Sequence, residues 1–160
     1  MPTPTIRRAE RADAETLLNL VRELAAYEHE PNAVKATVAD LERDGWGETP
    51  RFEALLAEVD GRVAGFALLF PNYSTWEGRA GLYLEDLFVS EWARRHGVGR
   101  KLFEAVAKLA VERNCARVDL NVLTWNPARA FYERIGVRHL SNWTPYRLTG
   151  EALRQLAEGD

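Results

Sequence analysis

Between Arg94 and Lys101 the chain reads Arg-Arg-His-Gly-Val-Gly-Arg-Lys, just ahead of an apolar stretch with helical periodicity. Gly97 and Gly99 let the backbone turn sharply and approach a partner closely. A helix N-terminus carries partial positive charge and ordinarily collects acids. Bases crowded there make sense when an anion fills the turn, held by backbone N–H groups and guanidinium groups. A phosphate or pyrophosphate suits that chemistry. The same residues also make a plain solvated turn, because short glycine motifs recur by chance. Immediately upstream, Tyr83 to Val89 places Glu85 and Asp86 inside a run of strand formers. Alternation along a strand sends those two acids to opposite faces. One of them is then expected to be solvated or functional, or paired at a strand end.

These groups need elements to position them. Residues 3–8 read as a first strand, with Ile6 inward. Asp13 is placed to cap a helix through about His29, with Leu17, Leu20, Val21 and Leu24 on one face and Pro31 as its stop. Thr37 and Asp40 have capping-box spacing for a second helix over 37–44. Residues 52–59 and 62–71 read as a hairpin about Asp60-Gly61. Residues 72–79 read as a loop or ragged strand end, and the central strand follows over 82–89. A helix is expected over 97–113, with Leu102, Val106, Leu109 and Ala110 on one face. A strand over 117–123 leads to Asn126-Pro127, which opens a helix that stops at Gly136. Short strands over 137–140 and 146–148 and a helix over 149–158 finish the chain. The expectation is one α/β domain over residues 1–160, with a mixed and mostly antiparallel sheet.

Composition narrows the function classes. The chain has 160 residues, and its 21 Lys and Arg are outnumbered by 24 Asp and Glu, for a net charge of -3. Such a balance argues against a broad basic face for nucleic acid. No apolar run is long enough to span a bilayer. The first ten residues hold no apolar segment, so no secretory leader is expected. The one cysteine, Cys115, excludes an internal disulfide and fits a reducing, cytoplasmic compartment. It reads as a small buried filler. His29, His96 and His139 lack metal-ligand spacing, and no metal is expected.

Several separated motifs in one order resemble the GNAT superfamily of N-acetyltransferases. They are Arg94-x-x-Gly97-x-Gly99 between a strand and a helix, Asn126, and the run Phe131-Tyr132-Glu133-Arg134-Ile135-Gly136. The stretches 23–28 (ELAAYE), 40–48 (DLERDGWGE) and 83–86 (YLED) are similar to the spermidine/spermine acetyltransferase branch. Residues 73–79 (YSTWEGR) are closer to its thialysine acetyltransferase side. Two departures stand out. The Asn126-to-Tyr132 spacing is one residue shorter than the family's. Ser74 also stands where the polyamine enzymes carry an acid, which weighs against a long polyamine.

The resemblance implies a GNAT fold with helices flanking the sheet and strands splayed at an acetyl-CoA site. It implies acetyl-CoA as cosubstrate, a homodimer, and direct transfer of acetyl to a small primary amine, either a diamine or a thialysine-like or lysine-like molecule. Cofactor contacts fall on the backbone of Leu87, Phe88 and Val89, and on the turn Arg94, Arg95, His96, Gly97, Val98, Gly99 and Arg100. Asn126, Arg129 and Tyr132 complete them. Tyr132 takes the role of general acid toward the leaving thiolate, and Glu85 that of base. By its own pattern Tyr132 is equally a core tyrosine. Tyr27, Glu28, Trp76, Glu85 and Asp86 are the candidate acidic and aromatic pocket for a cationic amine. Two other functions share these motifs: acetylation of a protein N-terminus or lysine, and acyl-CoA binding without catalysis.

Overall fold

The computed structural model describes residues 2–159. The ends of the expected domain, residues 1 and 160, lie outside the described residues. Five strands run β1 (Thr5–Arg8), β2 (Glu53–Val59), β3 (Arg62–Ser74), β4 (Arg79–Val89) and β5 (Val118–Leu120), and they lie in that order across one sheet. The first four pair antiparallel, and β5 joins β4 in parallel. Between the strands come α1 (Ala14–Tyr27), α2 (Val38–Trp46) and α3 (Val98–Glu112). The mixed, mostly antiparallel α/β architecture expected from the sequence is therefore the one observed.

Alternation along β2 explains the layering. Leu55, Ala57 and Val59 face one way and pack with Val98, Leu102, Val106 and Ala110 of α3. Ala54 and Leu56 face the other way and pack with Leu17 and Leu20 of α1, and with Leu41 and Trp46 of α2. The sheet is thus covered by one helix on one face and by two on the other. Such double burial requires apolar residues at both parities of the central strands. The hairpin at Asp60-Gly61 forms as expected, with both residues at positive φ, 52° and 75°.

Along β4 the alternation breaks once, and this corrects an expectation. Leu82 and Leu84 belong to the α3-side core, and so do Leu87 and Val89. An even strand cannot put positions 84 and 87 on one face. Pairing shows the reason: Leu84 lies opposite Leu69 and Asp86 opposite Leu68, which leaves Glu85 as an extra residue, a β-bulge. Glu85 and Asp86 therefore share the face toward α1, where Phe88 also lies. They do not point to opposite faces.

Boundaries differ in several further places, and the strand expected over 117–123 forms only over Val118–Leu120. Asp13 does not cap α1 through its side chain. Its carboxylate instead accepts from Arg7 at 2.8 and 2.9 Å and from the Glu10 N–H at 2.7 Å. α1 ends at Tyr27, and His29 takes a φ of 64° that no helix continues through. The capping box at Thr37 and Asp40 forms, and α2 runs two residues past the expected end, to Trp46. The stretch 72–79, read as a loop or ragged strand end, is the strand ends and turn of a hairpin: β3 continues to Ser74, residues 75–78 turn, and β4 starts at Arg79.

The described residues separate into two units that divide after Asn121. The second holds α4 (Ala128–Arg134) and α5 (Gly150–Glu158). Strands expected over 137–140 and 146–148 are absent. Backbone in those stretches has no ladder partner among the described residues, and a strand exists only where its N–H and C=O groups are paired.

Gly65 is required by close approach. A Cβ built there would sit 2.5 Å from the Phe88 carbonyl oxygen and 3.2 Å from the Val89 Cα. Both neighbours are backbone, so neither can rotate away. Gly65→Ala should cost about 1–3 kcal/mol, the range of overpacked cores, read as a lower urea midpoint at unchanged slope. An unchanged midpoint would show that β3 and β4 can part without loss.

Candidate active site

Three features meet around the C-terminal half of β4. The first is an open edge. β5 pairs with β4 only from Leu82 to Leu84, so residues 85–89 have no strand neighbour on that side among the described residues. Leu87, Phe88 and Val89 lie on this stretch, where backbone groups are available to an extended ligand.

The second is the turn into α3. Ser90 and Ala93 are buried and anchor it. Ser90 donates its N–H to the Ala64 carbonyl at 2.8 Å and its hydroxyl to the Glu23 carboxylate at 3.0 Å. Arg95 is held at a φ of 70° and Gly97 at 74°. Gly97 is the N-cap residue of α3, no side chain caps that end, and no acid lies in its first turn. Its first amides have no intrahelical partner, and amides so arranged attract anions. Gly97, Val98 and Gly99 bring backbone to that point. Arg95, His96 and Arg100 are exposed around it. Arg100 and Lys101 share Glu104, at 3.1 and 3.3 Å. These surface pairs are weak enough for a phosphate to displace.

Arg94 does otherwise. Its Nε donates to the Val89 carbonyl at 3.0 Å. Its guanidinium lies over the Tyr27 ring at 4.7 Å and the Phe88 ring at 5.5 Å. The first arginine of the motif thus turns back onto the sheet.

The third feature is acidic. The bulge puts Glu85 and Asp86 on the α1 face, and Glu28 follows directly after Tyr27, whose ring lies 6.2 Å from Phe88. Burial, then the charges of Glu85 and Glu28, push the Asp86 carboxyl up to about 7. Burial pushes Glu28 up as well. Burial, followed by the charges of Glu85 and Asp119, raises the Tyr83 phenol. A cation entering here would relieve the crowding of carboxylates.

Trp76 is not brought to this cluster. It is 91% exposed in the turn between β3 and β4. From Arg79 to Glu85 is roughly 20 Å of strand at the usual rise per residue.

The second unit holds the remaining candidates. The Asn126 side-chain oxygen accepts the Ala128 N–H at 2.9 Å, as an N-cap oxygen does. The Arg129 guanidinium donates to the Thr124 carbonyl at 2.9 Å. Tyr132 is 8% exposed, with its ring 5.3 Å from Phe131. Among the described residues no group of three His, Cys, Asp or Glu side chains is placed to hold a metal. No described helix is long and apolar enough to cross a membrane.

Glu23 and Ser90 act on each other in a way the sequence does not signal. Their partnership spans 67 positions, and no local pattern announces it.

Because the Asp86 carboxyl sits higher in the fold than in the unfolded chain, the folded state binds its proton more tightly. Its contribution to stability is complete below the unfolded value of 3.8 and is lost as pH rises through about 7. Asp86→Asn should remove that part of the fall in Tm across this window and be the more stable protein above it. Parallel Tm profiles for the two proteins would show that Asp86 is not the perturbed acid.

Comparison with known proteins is consistent with this geometry. The chain is 38% identical to the thialysine N-epsilon-acetyltransferase of Bos taurus, over 95% of this chain and 96% of that one. It is 32% identical to the protein of the same name from Caenorhabditis elegans, over 91% of each. Among solved structures it is similar to an integron cassette protein from the mobile metagenome of V. cholerae. That similarity has a TM-score of 0.83 and 28% identity, and it covers 99% of this chain and all of the other. The acetyltransferase (GNAT) family model matches residues 15–137, and GNAT enzymes use acetyl-CoA as cosubstrate. With an open β4 edge, a glycine turn at the start of α3 and that match across most of its length, this chain belongs to the GNAT acetyltransferase family and is an N-acetyltransferase.

Proposed function

We propose that this enzyme moves acetyl from acetyl-CoA to the primary amine of a small thialysine-like or lysine-like molecule or a short diamine. The observation that carries this reading is the acidic face made by the β4 bulge, where Glu28, Glu85 and Asp86 gather beside the open strand edge. Three carboxylates gathered on one face, with the Glu28 and Asp86 carboxyls pushed up by burial, suit an acceptor that arrives as an ammonium ion. The relatives named for thialysine support the same choice. Ser74 is buried near the tip of the β3–β4 hairpin, and its hydroxyl accepts the Glu77 N–H at 3.1 Å. It adds no charge for a longer polyamine.

The transfer needs few groups. The ammonium loses a proton to Glu85, directly or through water, since only the free amine has a lone pair. Its nitrogen then forms a bond to the thioester carbon, and the carbon–sulfur bond breaks. Tyr132 gives its phenolic proton to the leaving sulfur, and the second proton, which the nitrogen sheds as the amide forms, returns the phenolate to phenol. Backbone amides of Leu87, Phe88 and Val89 orient the thioester arm. The turn from Arg95 to Arg100 holds the phosphates with its amides and bases, and Asn126 and Arg129 are further cofactor contacts. No covalent enzyme intermediate is required. The functional unit is a single acetyltransferase domain over residues 1–160, and the family match that runs across residue 121 supports this. A cytoplasmic homodimer is the expected form.

A thiol-release assay over thialysine, lysine, ornithine, short diamines, spermidine and peptides tests the acceptor. The highest kcat/KM is expected for thialysine or a short amine. A peptide as the best acceptor would overturn the proposal. Tyr132→Phe and Glu85→Gln should each lower kcat by about a hundredfold, the low end for general acid–base groups, while acetyl-CoA affinity stays within a few-fold. Wild-type turnover in either variant would remove that residue from its role.

A further inference from the structure

The turn that receives the cofactor phosphates is tied to the helix that carries an acceptor acid. The tie has two strands. Ser90 donates its hydroxyl to Glu23 at 3.0 Å. Four residues later, Arg94 lays its guanidinium over Tyr27 at 4.7 Å. Glu23 and Tyr27 are themselves four residues apart in α1, so they lie one above the other on the same helix face. That face therefore meets the turn at two consecutive levels.

Arg94 is fixed at its own end as well. Its Nε bond to the Val89 carbonyl at 3.0 Å and its contact with Phe88 hold the guanidinium against β4. Tyr27 is the last residue of α1, and Glu28 comes next at a C-cap that has left helical geometry. A helix end frays unless something holds it. Here the holding group belongs to the cofactor turn.

We propose that Arg94 is a positioning residue for the acceptor, through Tyr27 and Glu28, and not a ligand of the cofactor phosphates. With Ser90 and Glu23 it makes a brace that transmits ordering of the turn to the acidic face. Filling of the turn by coenzyme A stiffens residues 94–100. The brace carries that order to the end of α1, and Glu28 is then held facing Asp86 and Glu85. The ammonium acceptor consequently binds best after the turn is occupied. This inference rests on the acceptor reading above for the role of Glu28, while its mechanical part does not.

Arg94→Met keeps a long apolar side chain over the rings and removes the charge and the Nε donor. Three readouts test it: acetyl-CoA affinity by calorimetry, KM for the amine that wild type acetylates fastest, and amide hydrogen exchange over residues 23–30 with and without coenzyme A. Expected in Arg94→Met are an acetyl-CoA affinity within about threefold of wild type and an acceptor KM raised about tenfold. Coenzyme A should slow exchange over 23–30 in wild type and not in the variant. Arg94→Lys, which restores a cation near Tyr27, should recover part of the KM. Should Arg94→Met fold poorly, Glu23→Ala removes the acceptor of the Ser90 hydroxyl, breaks the other strand of the brace and is expected to raise acceptor KM in the same direction. A tenfold or greater loss of acetyl-CoA affinity with acceptor KM unchanged would make Arg94 a phosphate ligand and overturn the proposal. So would equal coenzyme A protection over 23–30 in both proteins. Exchange does not depend on which amine is used. A wrong acceptor assignment would therefore leave the exchange result standing, and a failed brace would leave the amine panel standing.

Discussion

One extra residue in β4 governs the chemistry of this fold. Without Glu85 as a bulge, alternation would place one carboxylate on the α1 face and drive the other into the α3-side core among Leu82, Leu84 and Leu102. A buried unpaired carboxylate there would cost several kcal/mol or lose its charge. With the bulge, both acids share the face that Glu28 and Tyr27 approach, and the strand beyond returns its leucines to the core. The same stretch is where β5 lets go of β4. An acidic face and an unpaired backbone edge are thus adjacent because they belong to the same few residues. In the proposed reaction that adjacency sets the thioester arm beside the acid that frees the amine.

The opposing charge problem lies a few residues downstream. Bases at a helix N-terminus repel the helix's own partial charge. Each base has its own solution. Arg94 leaves the turn and spends its guanidinium on aromatic rings and a strand carbonyl. Arg100 and Lys101 share Glu104 one turn along α3. Arg95 and His96 remain exposed beside the free amides. The turn is tolerable on its own, and the proposed phosphate contact would draw on its amides and its exposed cations.

Support for that site comes from outside it. Ser90 and Ala93 are buried, and Gly65 lets β3 come within contact of the Phe88 carbonyl. These residues carry no reactive group. They set where the strand ends and the helix begins, so small shifts in them move every amide at the turn.

The elements whose signals are local were legible in the chain. The Thr37 capping box, the Asp60-Gly61 hairpin, the apolar faces of α1 and α3 and the glycine turn are all formed as read. The motif order was specific enough to name the superfamily, since types and spacings along one segment survive without knowledge of partners. Pairing decided the rest. The bulge depends on which β3 residue faces each β4 residue, and so the shared face of Glu85 and Asp86 could not be seen from alternation alone. The inward course of Arg94 depends on Tyr27, which lies far away in sequence. The last expected strands failed to form, although their composition suits strands, because no described edge pairs with them. Local propensity determines which residues can make an element or carry a charge. Tertiary contact determines which way they face, because direction is set by partners the chain meets only when folded.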